Sequence, residues 1–233
     1  MTSDRRAHGR VRRDEQGRSS TRRGMTLGAA FGEFARHPTP WMIAVLLAGS
    51  GTARVLVADW QWTDAVIPAV MVASFPLAEW IIHIGVLHWR PRSVGSLKVD
   101  SLLSRKHREH HRDPRNIPLI FIPWQVLCAV IPTAILIGVF AFGRLGLGLT
   151  FLATLGALGL VYEWTHYLIH TDYKPKSRLY KATWRNHRFH HYKNEHYWFT
   201  VTTSSTADRL LGTDPDPESV EKSPTAKNLH ALS

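Results

Sequence analysis

A chain of 233 residues has room for one medium-sized domain or for a short bundle of membrane helices with tails, and not for a fused multidomain machine. Its 29 Lys and Arg against 18 Asp and Glu give a formal net charge of +11, and its single cysteine, Cys128, excludes an internal disulfide, a four-cysteine zinc site and a thiol redox pair. Fourteen histidines and nine tryptophans are the features left to explain.

In chain order, the first two dozen residues scatter Arg5, Arg6, Arg10, Arg12, Arg13, Arg18, Arg22 and Arg23 among Ser, Gly and Asp, with too little apolar surface to bury. Residues 1–30 are expected to be a disordered basic tail. Arg22 and Arg23 could open a twin-arginine export signal, but Glu33 and Arg36 interrupt the apolar stretch that should follow.

The composition changes at Trp41. Trp41–Ala58, Ala65–Leu87, Leu119–Phe142 and Leu145–Ile169 are predominantly apolar runs, each long enough to span a bilayer as a helix. Arg54 lies near the end of the first run, where its side chain can snorkel toward the headgroups. Pro68, Pro76, Pro123 and Pro132 would break soluble helices but are tolerated in membrane spans. Nine Lys and Arg precede Trp41, eight lie between His88 and Pro118, and ten follow from Lys174, whereas the connections after the first and third runs are nearly uncharged. The positive-inside rule then predicts a multi-pass protein of the cell membrane with both termini and the central loop cytoplasmic. This distribution accounts for the net charge without nucleic acid, for which no basic face with interleaved aromatics is present.

His8, His37 and His230 read as solvated tail residues, and His196 stands alone. The other ten fall into four boxes: His83 and His88; His107, His110 and His111; His166 and His170; His187, His190 and His191. Residues at i, i+3 and i+4 share a helix face, so the second and fourth boxes each present three imidazoles to one side. Asp100 is the expected cap of a helix ending at Asp113-Pro114, and Ser177 of one running to Tyr192. His83 and His88 are five positions apart, which an α-helix cannot bring to one face, so the end of the second span is expected to bend or unwind. All four boxes fall on the predicted cytoplasmic side. Ten imidazoles at a membrane boundary are best reconciled as neutral metal ligands, and their number suggests two metals. Glu79 and Glu163 are candidates to accept an N–H from a ligand histidine, with Asp172, Glu195 and Asp208 behind them. A divalent-metal transporter or membrane metal-binding protein is the rival class, and it predicts polar groups near mid-bilayer on several spans.

From Glu79-Trp80-Ile81-Ile82-His83 through His107–His111, Tyr162-Glu163-Trp164-Thr165-His166-Tyr167 and His187–His191, to the closing Asp208-Arg209-Leu210-Leu211-Gly212-Thr213, the sequence resembles the fatty acid hydroxylase and sterol desaturase superfamily of membrane di-iron oxygenases. The resemblance implies an all-α fold of four transmembrane helices carrying a cytoplasmic helical cap. It makes residues 31–213 the hydroxylase domain and leaves 214–233 as a disordered tail. It further implies that the ten box histidines hold two iron ions, with zinc able to replace iron in purified protein, and that a lipid is hydroxylated or desaturated using O2. His190-His191-Tyr192-Lys193-Asn194 most resembles the fatty acid 2-hydroxylases, so a fatty acyl chain is the favoured substrate, with sterol-type desaturation and carotenoid hydroxylation as alternatives. Thr171, Thr200-Val201 and Ala207 depart from the family pattern. No His-Pro-Gly-Gly is present and no fused cytochrome b5 domain is expected, so electrons are expected from a separate electron-transfer protein.

Overall fold

The computed structural model describes residues 24–230. Residues 1–23 of the expected basic tail lie outside the described residues, as do 231–233. Residues 24–30 do not belong to a tail. Thr26 caps α1 (Leu27–Phe34) by accepting the Ala29 N–H, and Ala30 and Phe34 of this helix are buried against Ile120, Phe121, Tyr167 and Leu168.

Four helical segments are long and apolar enough to cross a membrane: Pro38–Val57, Trp62–Leu87, Ile117–Phe140 and Leu145–His170. The first is α2 (Pro38–Val57) and the fourth α7 (Leu145–His170). The second joins a 3-10 turn to α3 (Val66–Ile82) and a π turn (His83–Leu87). The third, expected as one run, is divided into α5 (Ile117–Ile120) and α6 (Trp124–Phe140). The break falls before Pro123, which disfavours helix in the preceding residue, and the freed Ile122 N–H donates to Glu163 Oε1 at 2.9 Å. Pro76 and Pro132 stay inside helices, as bilayer spans allow.

The spans close on small residues. A Cβ on Gly148 of α7 would stand 1.6 Å from the Gly138 carbonyl oxygen of α6, so only glycine permits this crossing. Arg54 does not snorkel. It is 3% exposed and is held by Asp59 (2.9 Å), Asp64 (2.6 Å) and Thr150 (3.1 Å), with Arg144 reaching both carboxylates and Trp60 lying over the guanidinium at 3.6 Å. Two arginines and two aspartates from three elements neutralise one another at the end of the bundle remote from the histidines, so the buried charge is paired.

The cap consists of α4 (Leu102–Arg112), α8 (Arg178–Tyr192) and α9 (Thr206–Leu210), preceded by a hairpin of β1 (Arg92–Val94) and β2 (Leu97–Val99) that turns through Gly95 at φ 61°. Ser101, not Asp100, caps α4; Asp100 instead accepts from the Ser104 hydroxyl and from Arg108. Ser177 caps α8 as expected. Residues 214–230, expected as a disordered tail, are packed onto the cap, with Ala226 and Leu229 buried. Both ends of the described chain lie at the histidine end of the bundle.

Candidate metal centre

The π turn solves the spacing of the first box. His88 N donates to the His83 carbonyl at 2.9 Å, an i→i+5 bond, and the two rings come to 5.0 Å between centroids. On α4 and α8 the i, i+3, i+4 boxes face each other, and α7 delivers His166 and His170 from one turn.

The ten box histidines separate into two groups of five: His83, His88, His107, His111 and His190, and His110, His166, His170, His187 and His191. Each three-histidine box is shared. The i, i+4 pair of α4 joins the first group and its middle residue the second, while α8 does the reverse. Within the first group Nε2 atoms stand 3.1 Å apart for His83–His107, His107–His111 and His88–His190. In the second the separations are 3.2 Å for His110–His170 and His170–His187, and 3.0 Å for His187–His191. Nitrogens about 2.0–2.1 Å from a common ion stand about 3 Å apart at right angles, so these groups have the dimensions of ligand shells.

All ten are buried except His88, which is half-buried. Outside the spans, burial first and the neighbouring imidazoles second hold His88, His107, His110, His187 and His191 well below the usual imidazole range. Burial likewise lowers His111 to about 3 and His190 well below its ordinary value, against the hydrogen bonds each makes to a carbonyl. They are therefore neutral at pH 7, the form a metal requires. The outer nitrogens of the first group are anchored: His83 Nδ1 donates to the Phe199 carbonyl (2.5 Å), His111 Nδ1 to Ala226 (2.8 Å) and His190 Nδ1 to Tyr197 (2.8 Å). These bonds assign the proton to Nδ1 and leave Nε2 with its lone pair aimed inward. In the second group, His166 Nε2 is buried without a hydrogen-bond partner, an arrangement a bound cation would complete.

Neither Glu79 nor Glu163 hydrogen-bonds to a histidine. Glu79 accepts from the Thr202 hydroxyl (2.6 Å) and N–H, and Glu163 from Ile122 N. Asp208, fully buried, accepts from the N–H groups of Phe199 (2.8 Å) and Thr200 (2.9 Å) and from both threonine hydroxyls, Thr200 and Thr213. Asp208 and Glu79 thus clamp residues 199–202, whose Phe199 carbonyl orients His83. Trp198 in this loop adopts φ 58°, a strained value for a bulky residue, and its N–H is bound by the Thr213 carbonyl. Asp172 is exposed and faces Arg115, and Glu195 accepts from Thr225. His196 is exposed and belongs to neither group, but His37 stacks on Phe121 at 4.3 Å and His230 donates to the His88 carbonyl at 2.8 Å, so these two are not solvated tail residues.

A cavity of about 430 Å³ runs between the spans to this centre. Met71 and Ser74 of α3, Ala134 of α6 and Leu155 of α7 line it far from the histidines, and Tyr162, Val201 and His83 line it beside them. Leu155 precedes His166 by 11 residues on one helix, a rise of about 16 Å. The wall is apolar almost throughout.

Fold and site together define an α-helical membrane protein bearing paired histidine clusters that could hold metal ions. Residues 68–213 match the family model for fatty acid hydroxylase, and the chain belongs to that family, whose members are oxidoreductases acting on lipids. Its fold is shared by the solved structure of full-length scs7p, in which only the hydroxylase domain is visible: TM-score 0.61 at 22% identity, covering 79% of this chain and 70% of that one. No curated protein matches the chain in sequence.

Proposed function

We propose that this chain is a di-iron hydroxylase of a fatty acyl lipid, with five histidines of each group holding one ion. The observation that carries this reading is the continuity of an apolar slot with His83: an alkyl chain of about 16 Å would lie with one segment against the histidines and the rest among the spans. Iron bound there would supply activation of O2 and attack on an unactivated C–H bond. The protein's own residues do the positioning. Met71, Leu155 and their neighbours bind the chain by burying its methylenes, at about 25 cal/mol per Å² of apolar surface. The Phe199, Tyr197 and Ala226 carbonyls keep the ring protons of His83, His190 and His111 on Nδ1. The packed cap excludes water from the histidines. Electrons come from a separate protein, and the distribution of Lys and Arg supports a cell-membrane location with the histidine end and both termini cytoplasmic.

The transporter reading gains no support, because the cavity that enters the bundle is apolar and the remote charged residues Arg54, Asp59, Asp64 and Arg144 satisfy one another. Iron-loaded protein supplied with reductant, lipid and labelled O2 is expected to yield a lipid heavier by one labelled oxygen. A lipid lighter by two hydrogens would replace hydroxylation with desaturation, and an unchanged lipid with iron bound would refute both.

A further inference from the structure

Residues 214–230 follow the segment matched by the family model, which ends at residue 213, yet they are tied to the first histidine group. Beyond the 3-10 turn Pro217–Ser219, the segment is fastened to the end of α8 and its following loop. Ser223 N donates to the Lys193 carbonyl at 2.8 Å, Asn194 Nδ2 to the Glu221 carbonyl at 3.2 Å, and the Thr225 hydroxyl to Glu195. It then crosses to α4, where Arg112 donates to Asn228 Oδ1 at 3.2 Å. Ala226 and Leu229 are 2% and 3% exposed, and His230 holds φ 54°, a conformation that persists in a non-glycine residue only where its surroundings enforce it.

Two of its contacts reach candidate ligands. The Ala226 carbonyl accepts from His111 Nδ1, and His230 Nε2 donates to the His88 carbonyl, both at 2.8 Å. His111 and His88 belong to the same group of five, and among the described residues the segment makes no hydrogen bond to a histidine of the other group. We propose that residues 214–230 are a strap that positions the first group for metal, so that occupancy of the His83–His88–His107–His111–His190 site depends on the strap and occupancy of the other does not. The physical reason is local. Without the Ala226 carbonyl, the His111 ring is free to rotate and to carry its proton on Nε2, where a ligand needs a lone pair, and loss of such a partner typically weakens metal binding about 10–100-fold. The proposal rests on the ten-ligand reading above.

The test is zinc binding to the full chain in lipid nanodiscs, followed by competition with a graded chelator, with unfolding of the metal-free protein measured in parallel. The variants are a chain ending at Lys222 and the full-length Leu229→Asp, which places an unpaired charge under the strap. The full chain is expected to hold two equivalents. In both variants one equivalent should weaken about 10–100-fold and the other remain unchanged. His187→Ala and His111→Ala assign the sites: the equivalent left in His187→Ala should be sensitive to the truncation, and the one left in His111→Ala should not. Two undisturbed equivalents in the variants would overturn this proposal alone, as would equal weakening of both equivalents. A full chain that binds no zinc would overturn the ten-ligand reading and this proposal with it.

Discussion

At the scale of single residues, the site is an exercise in keeping imidazoles neutral and pointed. The folded chain holds His111 at about 3 and the other cap histidines well below their ordinary value, while an unfolded chain takes up protons on them near pH 6.5. Below pH 6.5 the unfolded state therefore binds more protons than the folded one, and stability falls as the pH drops. Above pH 7 these groups contribute no slope. Unfolding of the metal-free protein followed from pH 8 to pH 5 should be level and then decline, and metal release should follow the same direction because protons compete for the same nitrogens. A midpoint that rises on acidification would contradict the assignment of neutral rings. Asp208 is the residue on which the ligand-orienting loop turns. Asp208→Ala leaves two buried backbone N–H groups without a partner and is expected to cost on the order of 3 kcal/mol in chemical or thermal unfolding, with weakened metal binding through His83.

At the scale of elements, the spans place the slot, and small changes in them should have separable effects. Gly148→Ala drives a methyl group into the Gly138 carbonyl, so α6 and α7 must part. Expression and thermal unfolding should show a loss of about 3 kcal/mol or more. Leu155→Trp fills the slot at the level farthest from the histidines and touches no ligand. It should leave metal content intact and shift the preferred substrate toward shorter acyl chains, which a competition among lipids of graded length will read by mass spectrometry. The same elements show what periodicity reveals. The spacing of His107, His110 and His111 announces one face of a helix, and the five-residue gap between His83 and His88 announces a departure from α geometry, met here by the π turn. Apolar length announces the spans, though not the break ahead of Pro123, where Glu163, 41 residues further along the chain, accepts the freed Ile122 N–H.

At the scale of the whole molecule, what the sequence leaves illegible is whatever joins residues distant along the chain. A histidine box suggests three ligands for one metal, whereas the packed helices deal the boxes across two groups, because facing i, i+3, i+4 triplets interdigitate. The carbonyls that orient His83, His111 and His190 are backbone atoms and leave no residue-type signal. Asp208 does leave one, since an aspartate that is buried must find donors. Arg54 reads as a snorkelling side chain until Asp59 and Asp64, themselves shared with Arg144, are seen to converge on it. The C-terminal segment, polar in composition, is ordered through two small buried contacts, Ala226 and Leu229, and through hydrogen bonds no pattern announces.

The central claim is that two sets of five histidines, meeting at one end of four membrane helices, each hold an iron ion. Anomalous diffraction at the iron edge from crystals of iron-loaded protein tests it most directly. Two peaks are predicted, one among His83, His88, His107, His111 and His190 and one among His110, His166, His170, His187 and His191. A map with no peak at either place, or with a single ion held by residues outside these ten, would contradict it.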